Sequence, residues 1–176
     1  MSKAVIAAAA FATIVAGETL HAQTAEFPAC ADDHGARVTY MTDDQYQRQA
    51  RGQIYTIMFA AARYMNADTA QEPVIGYSAP FIDSINQSAG RFVFLHECFH
   101  LSSGDARKAY LSIQGGGEKA KREMEDNADC SAATRMRDEF HASEEEMFSI
   151  APMIDAVSSG RGAERMADIM ACYRAP

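Results

Sequence analysis

The chain has 176 residues, no tryptophan, five histidines, four cysteines and a formal net charge of −8. Its length and its 48% share of hydrophobic residues suit one ordinary domain and exclude a mostly disordered chain. The acidic balance argues against a nucleic-acid binder or a protein that coats anionic membranes.

The first 22 residues read as a secretory leader. Lys3 precedes an apolar run from Ala4 to Gly17, and Leu20-His21-Ala22 sets a small residue where a signal peptidase cuts. The run falls short of the about 20 residues that span a bilayer, and no later segment approaches that length. The expectation is a leader over 1–22 and a single domain over 23–176, which is 176 less 22, or 154 residues. Cleavage removes Lys3 and Glu18 together, so the net charge stays at −8. Cys30, Cys98, Cys130 and Cys172 all remain, and an even count in an exported chain predicts two disulfides, with three pairings open. The expected location is periplasmic or secreted.

Within the domain, "ARVTYM" (36–41) is a strand candidate. Thr42 with Gln45 forms a capping box that opens a long helix, carried by Tyr46, Ala50, Ile54, Ile57, Met58, Ala61, Tyr64 and Met65 at helical spacing. "PVIGY" (73–77) reads as a short strand that Pro73 and Pro80 confine to a sheet edge or to its ends. A second helix is expected from Ser88 or Ala89 to Leu101, and a third starting after Gly115-Gly116-Gly117 and continuing to near His141. Ser143 and Glu146 form another capping box, opening a helix to about Val157, and a last helix runs from Arg161 or Gly162 to Arg174. The fold class expected is α+β, mostly α.

The chemistry concentrates in His96-Glu97-Cys98-Phe99-His100. At about 100° per residue, His96 and His100 stand about 40° apart on one helix face, where two imidazoles can grip one metal ion. Glu97 lies beside them, placed to hold a water on the metal and accept its proton. In the third helix Glu125 and Asp129 share a face. A catalytic zinc takes three protein ligands and keeps one position open, so Glu125 can supply the third ligand. Asp129 can accept the second ring N–H of a ligating histidine.

These residues resemble the gluzincin zinc metallopeptidases. "EDNADCSAA" (125–133) is similar to the Glu-x-x-Ala-Asp helix of the Ste24/HtpX-like peptidases and their soluble periplasmic relatives. The resemblance covers about Pro73 to Arg137. It implies a zincin-like domain with a motif helix, a glutamate helix and a small edge-strand sheet. It implies one Zn2+ held by His96, His100 and Glu125, with Glu97 as catalytic base and Asp129 behind the ligands. It also implies that "PVIGYSAPFIDSI" (73–85) supplies a strand edge for an extended peptide or protein substrate. Where those enzymes often carry a Gly-His pair after the motif, this chain has Gly104-Asp105.

On the motif helix Cys98 lies about 200° from His96, and Cys130 lies about 140° from Glu125. Helices facing each other across a metal would keep those two cysteines apart, which favours Cys30 with Cys98 and Cys130 with Cys172. Candidates for donating to the oxyanion are His141, Tyr110 and Tyr77. Asp105 and Arg107 are expected only to cap or solvate a loop. His34 falls in an acidic N-terminal segment. The function expected is an exported zinc endopeptidase without nucleic-acid partners. The alternative is a secreted zinc-binding domain without peptidase activity.

Overall fold

The computed structural model describes residues 27–49, 57–66, 69–110 and 117–176. The leader expected over 1–22 lies outside the described residues. The chain builds a three-stranded sheet covered by helices, and helix dominates. Strand β1 (Thr39–Thr42) runs straight into helix α1 (Asp43–Gln49). The Thr42–Gln45 capping box forms: Gln45 N donates to Thr42 Oγ1 at 3.3 Å, and Thr42 N donates to Gln45 Oε1 at 2.9 Å.

The helix it opens is short, which corrects the expectation of one helix to Met65. Residues Ala60–Asn66 form strand β2 instead, paired antiparallel with β3 (Gln71–Tyr77) from Ala60↔Tyr77 to Asn66↔Gln71. Three alanines favour helix locally, but pairing along the whole of β3 overrides that preference. Ala50 and Ile54 of the expected stripe lie outside the described residues.

Strand β3 is central rather than an edge, in the order β1-β3-β2, with β1 parallel to it from Thr39↔Val74. Pro73 is tolerated because it faces Tyr64 on β2 one residue before β1 begins to pair, so its missing N–H removes no ladder bond. A Cβ at Gly76, next to the end of β3, would meet the tip of the Ile57 side chain, which would have to turn aside.

Helix α2 (Ala79–Ser84) and helix α4 (Asp105–Tyr110) were not expected from the sequence. Between them runs α3 (Gln87–Ser102), capped by Asn86, whose Oδ1 accepts from Ala89 N at 2.8 Å. Helix α5 (Glu118–Asp138) packs on α3 and α8, with Ala128, Ala132 and Ala133 fully buried.

The Ser143–Glu146 capping box also forms, but it opens α6 (Glu144–Phe148) alone, and α7 (Ala151–Val157) follows separately. Pro152 explains the break, since its ring cannot pass the carbonyl four residues earlier, at Phe148. Helix α8 (Gly162–Arg174) closes the fold against α5 and α7.

The core joins Phe92, Phe94, Leu95 and Leu101 of α3 to Met136, Met147, Ile154 and Ile169. The disulfides are Cys30–Cys98 and Cys130–Cys172, the pairing favoured from helix geometry. They fasten the segment before β1 to α3, and α5 to α8.

Candidate metal centre

The site forms where α3 crosses α5 beneath the free edge of β2. One turn of helix separates His96 from His100, and their Nε2 atoms lie 3.2 Å apart. Glu125 of α5 reaches both rings, with Oε2 3.2 Å from His96 Nε2 and Oε1 3.5 Å from His100 Nε2. Ligand atoms from the three residues all lie within 4.8 Å of one another, so the group can hold a metal ion.

His96 is buried, and its Nδ1 meets Asp129 Oδ1 at 2.8 Å. This fixes the ring so that Nε2 faces Glu125. The one-turn spacing from Glu125 to Asp129 therefore places one carboxylate on each nitrogen of the same imidazole.

Arg165 of α8 completes this arrangement and was missed in the sequence. Its Nε and Nη2 grip Asp129 at 2.5 and 2.8 Å, and Nη2 lies 4.0 Å from Glu125 Oε2. The available signal was its spacing. Arg165 stands one turn before Ile169, which is fully buried, so a cation lies beside the apolar face of α8.

Glu97 points to the other wall. Its Oε2 accepts the backbone N–H of Ala62 at 2.7 Å. Ala62 belongs to β2, so the free sheet edge beside the site is β2. The resemblance had implied that the segment containing β3 would serve as that edge. A cavity of about 200 Å³ opens beside Glu97, His96, Glu125 and Arg165, with Phe92, Val93, Met153 and Ile154 among its apolar walls. A second, of about 250 Å³, follows Ala60–Arg63 past His100 and Asp105.

Of the oxyanion candidates, His141 and Tyr77 stand apart from the site. His141 lies past the C-terminal end of α5 with φ 52°, roughly 20 Å along the helix axis from Glu125. There it turns the chain so that Ala142 N can donate to Met136 O. Tyr77 packs its ring against Phe27 and Phe94 instead of lining either cavity. Tyr110 ends α4, and its side chain lies outside the described residues.

Asp105 and Arg107 are not loop residues but belong to α4. Arg107 binds Asp32, Asp33 and the Ala70 carbonyl, and Asp105 Oδ2 stands 3.9 Å from His100 Nδ1.

The charges of the site hold one another in place. Burial opposes a charged His96 imidazole, but hydrogen bonds to Asp129 and Glu125 and the nearby Glu97 charge outweigh it and lift the pKa to about 10. Hydrogen bonds from His100 and His96 hold the Glu125 carboxyl far below the usual carboxylate range. Burial works to raise the Asp129 carboxyl, yet the Arg165 and His96 hydrogen bonds bring it below its ordinary value.

The metal-free site therefore keeps a proton on His96 at neutral pH, and an ion must displace it. Metal affinity is expected to rise about tenfold per pH unit from pH 7 toward 10, with about one proton released per ion at pH 7. Calorimetry in two buffers of different ionisation enthalpy counts that proton, and a count of zero rejects the coupling. In the metal-free protein the same shift has the opposite consequence. The raised pKa contributes stability in full below the ordinary His value of 6.5, and that contribution is lost as pH rises through about 10.

No protein-family model, curated protein or solved structure matches this chain. The two disulfides fit an oxidising compartment. Among the described residues no helix is long and apolar enough to cross a membrane.

Proposed function

We propose that the protein is an exported, zinc-dependent endopeptidase. The observation that carries this reading is the convergence of His96, His100 and Glu125 with Glu97 adjacent, at a cavity beside a free sheet edge. Two imidazoles and one carboxylate are the donor set of a catalytic zinc site with an open position. The commitment of His96 Nδ1 to Asp129 leaves Nε2 for the ion.

When bound, zinc supplies Lewis acidity, which acidifies water and polarises a carbonyl oxygen. His96, His100 and Glu125 would hold it. Glu97 takes the proton from the attacking water and returns it to the leaving amine. Asp129, itself gripped by Arg165, keeps the His96 ring in its ligating orientation. The apolar cavity walls take a substrate side chain and keep solvent from the reacting atoms.

A second reading, a secreted zinc-binding domain without peptidase activity, is favoured by one observation. The Glu97 carboxylate is bonded to Ala62 N, as an anchor for β2 would be.

Metal analysis of the purified protein tests the common ground of both readings. Wild type is expected to carry one equivalent of zinc and Glu125→Ala close to none, since two imidazoles alone hold the ion far more weakly. Wild type without stoichiometric zinc rejects both readings. Zinc-loaded protein that cleaves no native or denatured protein leaves the second.

A further inference from the structure

In this structure the two histidines are not treated alike. His96 has a carboxylate hydrogen-bonded to its Nδ1, whereas His100 has no such bond to its own Nδ1. Yet His100 Nδ1 faces a carboxylate on the far side. Asp105 Oδ2 lies 3.9 Å away, with the Asp105 and His100 side chains 15% and 14% exposed. Both residues line the cavity that follows β2. We propose that Asp105 is the positioning residue for His100: its carboxylate accepts the Nδ1–H of that ring and so presents Nε2 to the metal. This rests on the zinc site proposed above and deepens it by giving each ligating imidazole its own carboxylate.

The local chain shape delivers Asp105 to this place. Helix α3 ends at Ser102, and Ser103 caps it in a helical conformation. Gly104 then takes φ +77°, a conformation that L side chains rarely adopt. A Cβ there would also stand 2.7 Å from Asp33 Oδ2. The turn folds α4 back along α3, and Asp105, its first residue, is tied to the turn by donating its N–H to Ser103 Oγ at 3.3 Å. Three residues after the end of α3, the chain has returned a carboxylate to the side of the second histidine.

The chemistry requires such a group. A ring that ligates through Nε2 carries its hydrogen on Nδ1, and an acceptor there selects that tautomer and strengthens the ligand. A separation of 3.9 Å is too long for a hydrogen bond. A small rotation of either side chain closes it, as does one bridging water. Lys108 also lies near Asp105, with Nζ 3.6 Å from Oδ1. Lys108 thus engages the second carboxylate oxygen and leaves Oδ2 on the histidine side.

Zinc affinity, measured by competition with a chromophoric chelator, tests the assignment without recourse to hydrolysis. Asp105→Ala is expected to weaken zinc binding by ~10-fold or more. Asp105→Asn should lose less, because its amide oxygen can accept the same proton. Lys108→Ala should bind zinc within about twofold of wild type, because it leaves the carboxylate in place. Long-range nitrogen–proton NMR of zinc-loaded wild type should show His100 protonated at Nδ1, with that proton exchanging faster in Asp105→Asn.

Zinc binding by Asp105→Ala as tight as wild type overturns the proposal. If Asp105→Ala does not fold, Asp105→Asn and Lys108→Ala decide. A loss in Lys108→Ala as large as in Asp105→Asn shows that the ion pair of α4 matters rather than the contact with His100. Wild type that binds no zinc removes this proposal together with the site. Wild type that binds zinc without hydrolysing protein removes only the peptidase reading and leaves this proposal standing.

Discussion

Glu97→Gln is expected to lower hydrolysis of an unfolded protein by about 10²- to 10⁴-fold while leaving zinc content unchanged. The amide cannot accept a proton from water, so the step assigned to the carboxylate is lost. The substitution keeps the shape of the side chain, and the amide oxygen can still accept the Ala62 N–H now bonded to Glu97 Oε2 at 2.7 Å. Position and charge are thereby separated. Glu97→Ala loses both, and it should add a mobile β2 edge to the catalytic defect, seen as faster hydrogen exchange at the Ala62 amide. Measurement of turnover on a denatured protein, with zinc content determined on the same sample, decides the matter. Full activity in a zinc-loaded Glu97→Gln protein would rule out the base and leave Glu97 as a strand anchor.

The second large effect is on stability. Arg107→Ala is expected to destabilise the fold by about 3 kcal/mol, the low end of the range for breaking a buried ion pair from one side. Arg107 connects three separate parts of the chain. Its Nη2 donates to Asp32 Oδ2 at 2.6 Å, Nε to Asp33 Oδ1 at 2.9 Å, and Nη1 to the Ala70 carbonyl at 2.7 Å. Its guanidinium also lies 4.9 Å from the centre of the Tyr64 ring.

The cost arises mainly at Asp32, whose side chain is only 2% exposed. Without Arg107 it remains a buried anion. The effect stays at the low end because Asp32 Oδ1 still accepts the backbone N–H groups of His34 and Ala36 at 3.0 and 2.8 Å. For a domain of about 150 residues this corresponds to a fall in melting temperature of roughly 6–12 °C. Thermal unfolding with the disulfides intact measures it, and a shift under about 2 °C would mean that Asp32 is not stranded. Arg107→Lys should recover only part, because an ammonium cannot reach three acceptors with the geometry of the guanidinium fork.

Local signals and long-range placement can be told apart in this chain residue by residue. Both capping boxes form because each needs only groups three residues apart. Helices α3, α5 and α8 follow their apolar and capping signals closely, since a long amphipathic helix states its own buried face. The stretch from Ala60 to Met65 reads as helix in the sequence because its own composition and spacing favour helix. What makes it a strand is β3, which lies outside any local window. The proline in β3 suggested an edge for the same reason. Its N–H is unneeded only because β1 begins one residue later.

The site divides along the same line. Spacing within α3 and within α5 determined the pairs His96–His100 and Glu125–Asp129, because one turn of helix puts such residues on one face. The acidic net charge argues against polyanion binding, and the four cysteines imply two disulfides. Only the tertiary structure brought Glu125 to both histidines, set Arg165 behind Asp129, gave the Ala62 N–H to Glu97 and turned Asp105 toward His100. Those contacts join residues on different elements, all but one of them 25 or more positions apart. Their geometry depends on how α3, α5, α8 and the sheet pack. Asp105 is close in sequence, but a positive-φ turn at Gly104 decides its direction. Helical periodicity is a property of the chain itself. The meeting of two faces is a property of the packed core that holds them together.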